Sequence, residues 1–413
     1  MEKTFHKNAV QSHIHAISSK SEAHRYLICA ALGDRECEMI CTDANHDIDA
    51  TAKCLNSLGA DIKRTENGFC VKPIKAVTKN QALDCNESGS TLRFLLPLSA
   101  ALGADCTFLM RGRLAERPLA PLDALLQANG VTITRPEPSS LKIKGKFQSG
   151  SYSVAANVSS QYISGLLFAL SVSEGDSILS LEGKIESEPY IEMTLDTLTA
   201  FGADVQYEKA EKRFIIKGKP TLNSPDKITV GGDWSNAAFF LVAGAIGQSP
   251  VTISGLDEKS RQGDREILSI LAKMGAEIHR NGENTTVSPS SLCGIEIDAA
   301  NIPDLVPILS VAAAVSQGET KIYNASRLRL KESDRIESVC AMLRALGASV
   351  TETEDGMVIQ GREKLLGGNV DSYNDHRIAM SAAIASLTCE SAVKIDRFEA
   401  INKSYPTFAN NFI

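Results

Sequence analysis

Cys54-Leu55-Asn56-Ser57-Leu58-Gly59-Ala60-Asp61-Ile62 is a phrase that the chain repeats. It returns as LLQANGVTI (125–133), TLTAFGADV (197–205), LAKMGAEI (271–278) and MLRALGASV (342–350). The glycines Gly59, Gly130, Gly202, Gly275 and Gly347 are separated by 71, 72, 73 and 72 residues. Before each glycine, apolar residues recur at helical spacing and predict one buried stripe. The glycine stands where a helix C-terminus needs a left-handed residue. The β-branched residues that follow predict a strand. Asn67-Gly68 and Asp355-Gly356, each between strand-like runs, predict tight hairpins that close the unit. Such a helix ending is common, but five occurrences spaced within two residues of one another are not a coincidence of composition.

Each unit of about 72 residues therefore mixes strands and helices. A sixth recurrence would fall beyond residue 413, and its pieces are available at both termini: the helix-like segment Arg377–Leu387 and the stretch before Ser18. The expected architecture is α/β, with two pseudo-similar domains of three units each. One is discontinuous and carries both termini (1–17 plus 229–413). The other is inserted (18–228). Ligands favour the cleft between such domains.

With 413 residues, 43% hydrophobic and 23% charged, the chain can bury sizeable cores. A net charge of −7 disfavours a general attraction to nucleic acid or anionic lipid. Any anionic ligand must be held by local Lys and Arg. The ten cysteines include no CxxC pair, and Cys37 and Cys41 lack a second pair or a His cluster at zinc spacing. They read as reduced thiols of a cytoplasmic protein. The N-terminus shows no signal-peptide pattern, and apolar runs such as Phe239–Ile246 fall short of the roughly 20 residues of a membrane span. A soluble protein without metal or cofactor, nucleic-acid or membrane partner is expected, and a monomer.

Cations and hydroxyls gather at predicted loop-to-helix junctions, where bare N–H groups and the helix dipole favour anions. Lys20, Ser21 and Arg25 precede an apolar helical run, as do Gly89, Ser90 and Thr91. Ser159, Ser160 and Gln161 open another, and Asp375 is a plausible cap ahead of Arg377. Arg111, Arg113 and Arg117 form a loop that could grip a carboxylate or phosphate. Lys331 and Arg335, four apart, would share a helical face, with Glu332 and Asp334 able to neutralise them. Each cluster alone is equally well read as helix capping or surface charge. Together they predict a site for small, multiply anionic ligands. No Walker A or GxGxxG motif points to a nucleotide.

In order along the chain stand SKSxxxR, SGSTxR, ERPL, SSQ, EPY, IPD, LKESDR, NDHR and NKSYP. With these the sequence closely resembles the 5-enolpyruvylshikimate-3-phosphate synthase (3-phosphoshikimate 1-carboxyvinyltransferase) family of enolpyruvyl transferases, from Lys20 to Pro406. The resemblance implies two domains of three βαβαββ units, an inside-out α/β barrel type, with the active site in the interdomain cleft. It implies transfer of the enolpyruvyl group of phosphoenolpyruvate to the 5-hydroxyl of shikimate 3-phosphate, in chorismate and aromatic amino acid biosynthesis. Lys20, Ser21, Arg25, Ser159, Ser160, Gln161, Tyr190, Asp304, Arg327 and Lys331 match shikimate 3-phosphate positions. Lys20, Gly89, Arg117, Gln161, Arg335, Arg377 and Lys403 match phosphoenolpyruvate positions. The discontinuous domain would carry the phosphoenolpyruvate side and the catalytic carboxylates, and the inserted domain the shikimate 3-phosphate side. Asp304 is the implied base and Glu332 the implied acid, with Lys20 assisting.

Two positions depart from the family pattern, Glu87 and Arg327, where many relatives carry Asn. A related enolpyruvyl transferase acting on UDP-N-acetylglucosamine carries a reactive Cys on its arginine loop, and Arg111–Pro118 has none. A non-catalytic phospholigand-binding protein on the same fold is the other alternative. Gly89 matches the position where bare backbone faces phosphoenolpyruvate and the inhibitor glyphosate. Glyphosate should therefore inhibit the protein, and Gly89→Ala should raise its inhibition constant; an unchanged constant would count against this assignment.

Overall fold

The computed structural model describes residues 1–7 and 9–413. They form two compact units, one of Met1–Ile17 with Gly231–Ile413 and one of Ser18–Val230. The second boundary falls slightly later than the sequence suggested. Strand Lys227–Thr229 pairs in parallel with Cys37–Ile40, and this ladder ties it to the inserted unit.

The inserted unit contains α1 (Lys20–Ala31), α2 (His46–Leu58), α3 (Gly89–Ala101), α4 (Leu122–Ala128), α5 (Ser160–Ser171) and α6 (Glu188–Ala200). The unit carrying both termini contains α7 (Trp234–Ile246), α8 (Ile267–Lys273), α9 (Val306–Ala314), α10 (Arg335–Ala345) and α11 (His376–Ala385). All five repeat glycines adopt positive φ, from 70° at Gly202 to 117° at Gly59. Each follows α2, α4, α6, α8 or α10 within two residues, and a strand starts two residues later. The left-handed residue thus stops each helix and turns the chain into the sheet.

Among the described residues, five sheets have four strands and share one order, and the sixth has three. In one example Ala82–Asp84 lies parallel to Thr107–Leu109, with α3 as the crossover between them. Ser140–Lys144 and Thr132–Thr134 add the antiparallel hairpin. In the three-stranded sheet Gly368–Asp371 and Val393–Asp396 are parallel, and the N-terminal strand Lys3–Phe5 closes the edge. The unit without its own repeat glycine is therefore completed by the chain's first strand.

Helices α3, α5, α7, α9 and α11 are buried on almost every face, as their apolar composition requires. They form the centres of the two units. α3 and α5 pack closely enough that a Cβ at Gly165 would stand 2.3 Å from the carbonyl oxygen of Arg93 and 2.9 Å from Pro97 Cγ. That approach brings the starts of α3 and α5 side by side. The ten cysteines are all free thiols, eight of them buried. Among the described residues no helix is long and apolar enough to cross a membrane.

One local expectation changes. Lys331 and Arg335 do not share a helix. A 3-10 turn spans Ser326–Leu330, the chain then breaks, and α10 begins at Arg335. Asp334 causes the restart, because its carboxylate caps the new helix by accepting from Glu337 N at 3.1 Å.

Since Gly165 faces backbone, Gly165→Ala should destabilise the protein by about 1–3 kcal/mol through overpacking. A lower urea midpoint with an unchanged m-value would show it; an unaltered midpoint would mean that α3 and α5 tolerate separation.

Candidate active site

In the inserted unit, helix starts supply the polar groups. Ser19 caps α1, so Lys20 and Ser21 occupy its first turn. Lys20 Nζ donates to Asp47 Oδ2 at 2.9 Å, across to the first turn of α2. Arg25, one turn further along α1, is 2% exposed. Its Nε donates to Thr194 Oγ1 at 2.8 Å, and its two terminal nitrogens donate to the carbonyls of Ser21 and Tyr190 at 2.6 and 2.8 Å. The guanidinium also lies 5.1 Å from the Phe94 ring centre. Burial lowers its pKa to about 10, which leaves it charged at neutral pH. Arg25 thus joins α1 to α6 and carries Tyr190 with it.

Ser88 caps α3, whose first residue is Gly89. A Cβ on Gly89 would stand 2.6 Å from Arg93 Nη1 and 2.8 Å from Arg117 Nη1, so two guanidinium groups press against bare backbone. Arg117 is 9% exposed. Arg111 and Arg113 instead form exposed ion pairs with Asp84 and Glu116. Only the last arginine of that loop joins the cluster. Ser159 caps α5 by accepting from Gln161 N, and Ser160 is buried at the helix start. The Gln161 amide is held at both ends. Its Oε1 accepts from Arg93 Nη1 at 3.0 Å, and its Nε2 donates to Ser90 Oγ at 2.9 Å. Glu87, a departure from the family pattern, has its carboxylate against Gly112, where φ is 51° and a Cβ would lie 2.5 Å from Glu87 Oε2.

In the other unit the chemistry centres on Asp304, just ahead of α9. Its Oδ1 accepts from Arg335 Nη1 at 2.7 Å, and its Oδ2 accepts from Arg377 Nη2 at 3.1 Å. Lys331 Nζ completes the cage at 3.8 Å from Oδ1. Arg335 also donates to Glu332 Oε2 at 2.6 Å and to Asp375 Oδ2 at 2.8 Å. Asp375, expected only as a cap, both caps α11 and anchors Arg335. Lys403 donates to the carbonyl of Asn374 at 2.6 Å, which places it at the turn before α11. Arg327, the second departure, donates to the carbonyl of Ala300 at 2.7 Å. Asp334 is directed elsewhere, pairing with Arg329 at 3.0 Å.

Burial opposes charge on both central partners, and the pairing overrides it. Despite burial, Arg377, Lys331 and Arg335 hold the Asp304 carboxyl well below the ordinary carboxylate range. Despite burial, Asp375, Glu332 and Asp304 raise the Arg335 guanidinium above its usual value. The sequence-derived residues therefore gather into two sets. Lys20, Ser21, Arg25, Gly89, Arg117, Ser159, Ser160, Gln161 and Tyr190 lie in the inserted unit. Asp304, Arg327, Lys331, Glu332, Arg335, Arg377 and Lys403 lie in the other. Sequence reasoning passed over Asp47, which holds Lys20, and it read Ser90 and Arg93 only as part of a helix-start motif, not as the residues that hold Gln161. Their neighbours in sequence gave no sign of that contact, which spans 27 to 71 residues. Among the described residues no group of three or more His, Cys, Asp or Glu side chains is arranged to hold a metal ion.

Two units built on one repeat, each with cations gathered near the starts of its helices, define an enzyme class that handles small, multiply anionic substrates. The family model for EPSP synthase (3-phosphoshikimate 1-carboxyvinyltransferase) matches residues 6–412. The chain belongs to the EPSP synthase family. It is 43% identical over 396 residues to the 3-phosphoshikimate 1-carboxyvinyltransferase of Clostridium kluyveri, covering 95% of this chain and 92% of that one. It is 44% identical to that of Clostridium acetobutylicum, covering 94% and 91%. The EPSP synthase structure from Acinetobacter baumannii superposes with a TM-score of 0.80 at 26% identity, over 99% of this chain and 97% of that one. The enolpyruvyl transferase NikO of Streptomyces tendae, at 16% identity and a TM-score of 0.80, shares the fold.

Because the pKa of Asp304 is depressed on folding, its pairing stabilises the protein above its unfolded pKa of about 3.9 and is lost as pH falls towards the folded value. Urea unfolding of the wild type and Asp304→Asn should show an advantage for the wild type at pH 7. It should shrink below about pH 5, by at most about 1.4 kcal/mol per pH unit. An advantage that stays constant down to pH 3 would contradict the cage.

Proposed function

We propose that the chain transfers the enolpyruvyl group of phosphoenolpyruvate to the 5-hydroxyl of shikimate 3-phosphate, releasing phosphate. The caged Asp304 carries this reading. A carboxylate ringed by Arg335, Arg377 and Lys331 at 2.7–3.8 Å is a site in which anionic substrates replace internal counterions. Family membership and the two clostridial relatives support the same reaction over the UDP-N-acetylglucosamine and non-catalytic alternatives.

In this reading Ser159, Ser160, Ser21, Arg25, Tyr190, Arg327 and Lys331 take shikimate 3-phosphate. Lys20, Gly89, Arg117, Gln161, Arg335, Arg377 and Lys403 take phosphoenolpyruvate. Asp304 removes the 5-hydroxyl proton as the oxygen attacks C2 of phosphoenolpyruvate, while Glu332 protonates C3. This forms a tetrahedral ketal phosphate. Loss of a C3 proton and expulsion of phosphate then restore the double bond. The cations stabilise charge that grows on the phosphate. They also gate the base. While Arg335 and Arg377 neutralise Asp304 it is a poor proton acceptor, and it gains basicity as they turn to the carboxylate and phosphate of the second substrate. Arg335 reaches both Asp304 and Glu332, so one cation couples the base to the acid. The predominance of buried free thiols supports action in the reducing cytoplasm, where the protein acts as a monomer.

Phosphate release on mixing both substrates tests the reaction, and UDP-N-acetylglucosamine in place of shikimate 3-phosphate should give none. Asp304→Asn and Glu332→Gln should each lower kcat by about 10²–10⁴. Full activity in either variant would remove that residue from the proton-transfer role.

A further inference from the structure

Beneath the start of α3 runs a chain of buried polar side chains that the reaction scheme does not use. His24 on α1, Thr51 on α2, and Ser88 and Thr91 at the start of α3 are each at most 1% exposed. His24 Nδ1 lies 2.7 Å from Thr51 Oγ1, and Thr51 Oγ1 lies 2.7 Å from Thr91 Oγ1. Thr91 Oγ1 donates to Ser88 Oγ at 2.7 Å. Ser88 Oγ also accepts from Thr91 N at 3.2 Å, as the cap of α3.

The donation from Thr91 Oγ1 to Ser88 Oγ sets the direction of the whole chain. The two acceptor positions of Ser88 Oγ are filled by the N–H and O–H of Thr91. With its hydrogen committed to Ser88, Thr91 Oγ1 must accept from Thr51. Thr51, with its hydrogen so used, must accept from His24 Nδ1. The imidazole is then the Nδ1–H tautomer, and its buried Nε2 has no hydrogen-bond partner among the described residues. Its surroundings keep it neutral. Burial, then Lys20 and Arg25 on the same helix, lower its pKa well below 6.5. From α3 the ring meets the edge of Phe94 at 6.5 Å, and Arg25 lies over the same phenyl ring at 5.1 Å. On α2, Asp47 stands one turn before Thr51 and is paired with Lys20. The two helices are thus joined by two rungs: Lys20–Asp47 at the site, and His24–Thr51 beneath it.

We propose that His24 is a positioning residue for phosphoenolpyruvate binding, acting through the relay Thr51–Thr91–Ser88 that fixes the cap of α3 at Gly89. This rests on the reading above that Gly89 and the cations against it hold phosphoenolpyruvate. The neutral Nδ1–H imidazole is the terminal donor of the relay, and without it the three hydroxyls lose their common direction and Ser88 can leave its capping rotamer.

The tautomer is tested directly by long-range 1H–15N correlation spectra of the ring nitrogens in the whole protein at pH 7. A neutral Nδ1–H ring is expected. An Nε2–H ring, or an imidazolium titrating near pH 6.5, overturns the proposal. In steady-state assays His24→Leu should raise KM for phosphoenolpyruvate about fivefold, the worth of one hydrogen bond. KM for shikimate 3-phosphate and kcat should stay within about twofold. His24→Asn, which keeps an N–H donor near the Nδ1 position, should restore the low KM. An unchanged KM in His24→Leu, or an equal loss in every kinetic constant that His24→Asn does not rescue, overturns the proposal. Gly89→Ala in the same assay separates the two layers. If it too leaves KM for phosphoenolpyruvate unchanged, the anion site itself is misplaced; if it raises KM while His24→Leu does not, only the relay fails.

Discussion

A guanidinium with 1% exposure remains charged in a protein interior only if anions stand beside it. Arg335 has three, Asp304, Glu332 and Asp375, each within 2.8 Å. This one cation organises the end of its unit where α9, α10 and α11 begin. Asp375 is fixed as the α11 cap, which fixes Arg335 as the first residue of α10. Arg335 in turn fixes Asp304 ahead of α9. The carboxylates complete the charge balance of a cluster that would otherwise be self-repelling. In the proposed function they are also the anions that acidic substrates displace.

The position of that cluster follows from the architecture. Crossover helices that join parallel strands begin at the carboxyl ends of those strands, where open α/β sheets bind ligands. The repeat places Lys20, Gly89, Ser160, Asp304 and Arg377 at or just before the starts of α1, α3, α5, α9 and α11, while Arg335 opens α10. The left-handed glycine that ends each hairpin-side helix keeps the repeat in step. In the inserted unit, the missing Cβ of Gly165 lets α3 and α5 approach until Arg93 and Ser90 can hold the Gln161 amide.

Much of this was legible in the sequence. The repeat gave the helix ends, the strand starts and the hairpins because each depends on local backbone chemistry. Lys20, Gly89, Ser159 and Arg377 were legible as helix-start residues for the same reason. What remained hidden depends on contacts between distant segments. Asp375 read as a cap, and its second role, as the anchor of Arg335 40 residues away, needs the fold. His24, inside the Lys20–Arg25 segment, gave no signal of its own, because only packing brings it to Thr51. The single helix drawn through Lys331 and Arg335 failed where spacing competed with capping: Asp334 restarts the helix, and the two cations reach Asp304 from different elements. Of the loop arginines, burial selects Arg117, which charge alone does not distinguish from Arg111 and Arg113 and which only the ERPL resemblance had singled out.

The central claim is that anionic substrates take over the cations that hold Asp304. A crystal structure with shikimate 3-phosphate and glyphosate bound measures this directly. The account predicts that Arg335 and Arg377 contact the acidic groups of glyphosate, and that Asp304 has exchanged at least one of them for the 5-hydroxyl. Both ligands bound with Asp304 still closed on Arg335, Arg377 and Lys331, and no ligand atom near those side chains, would contradict it.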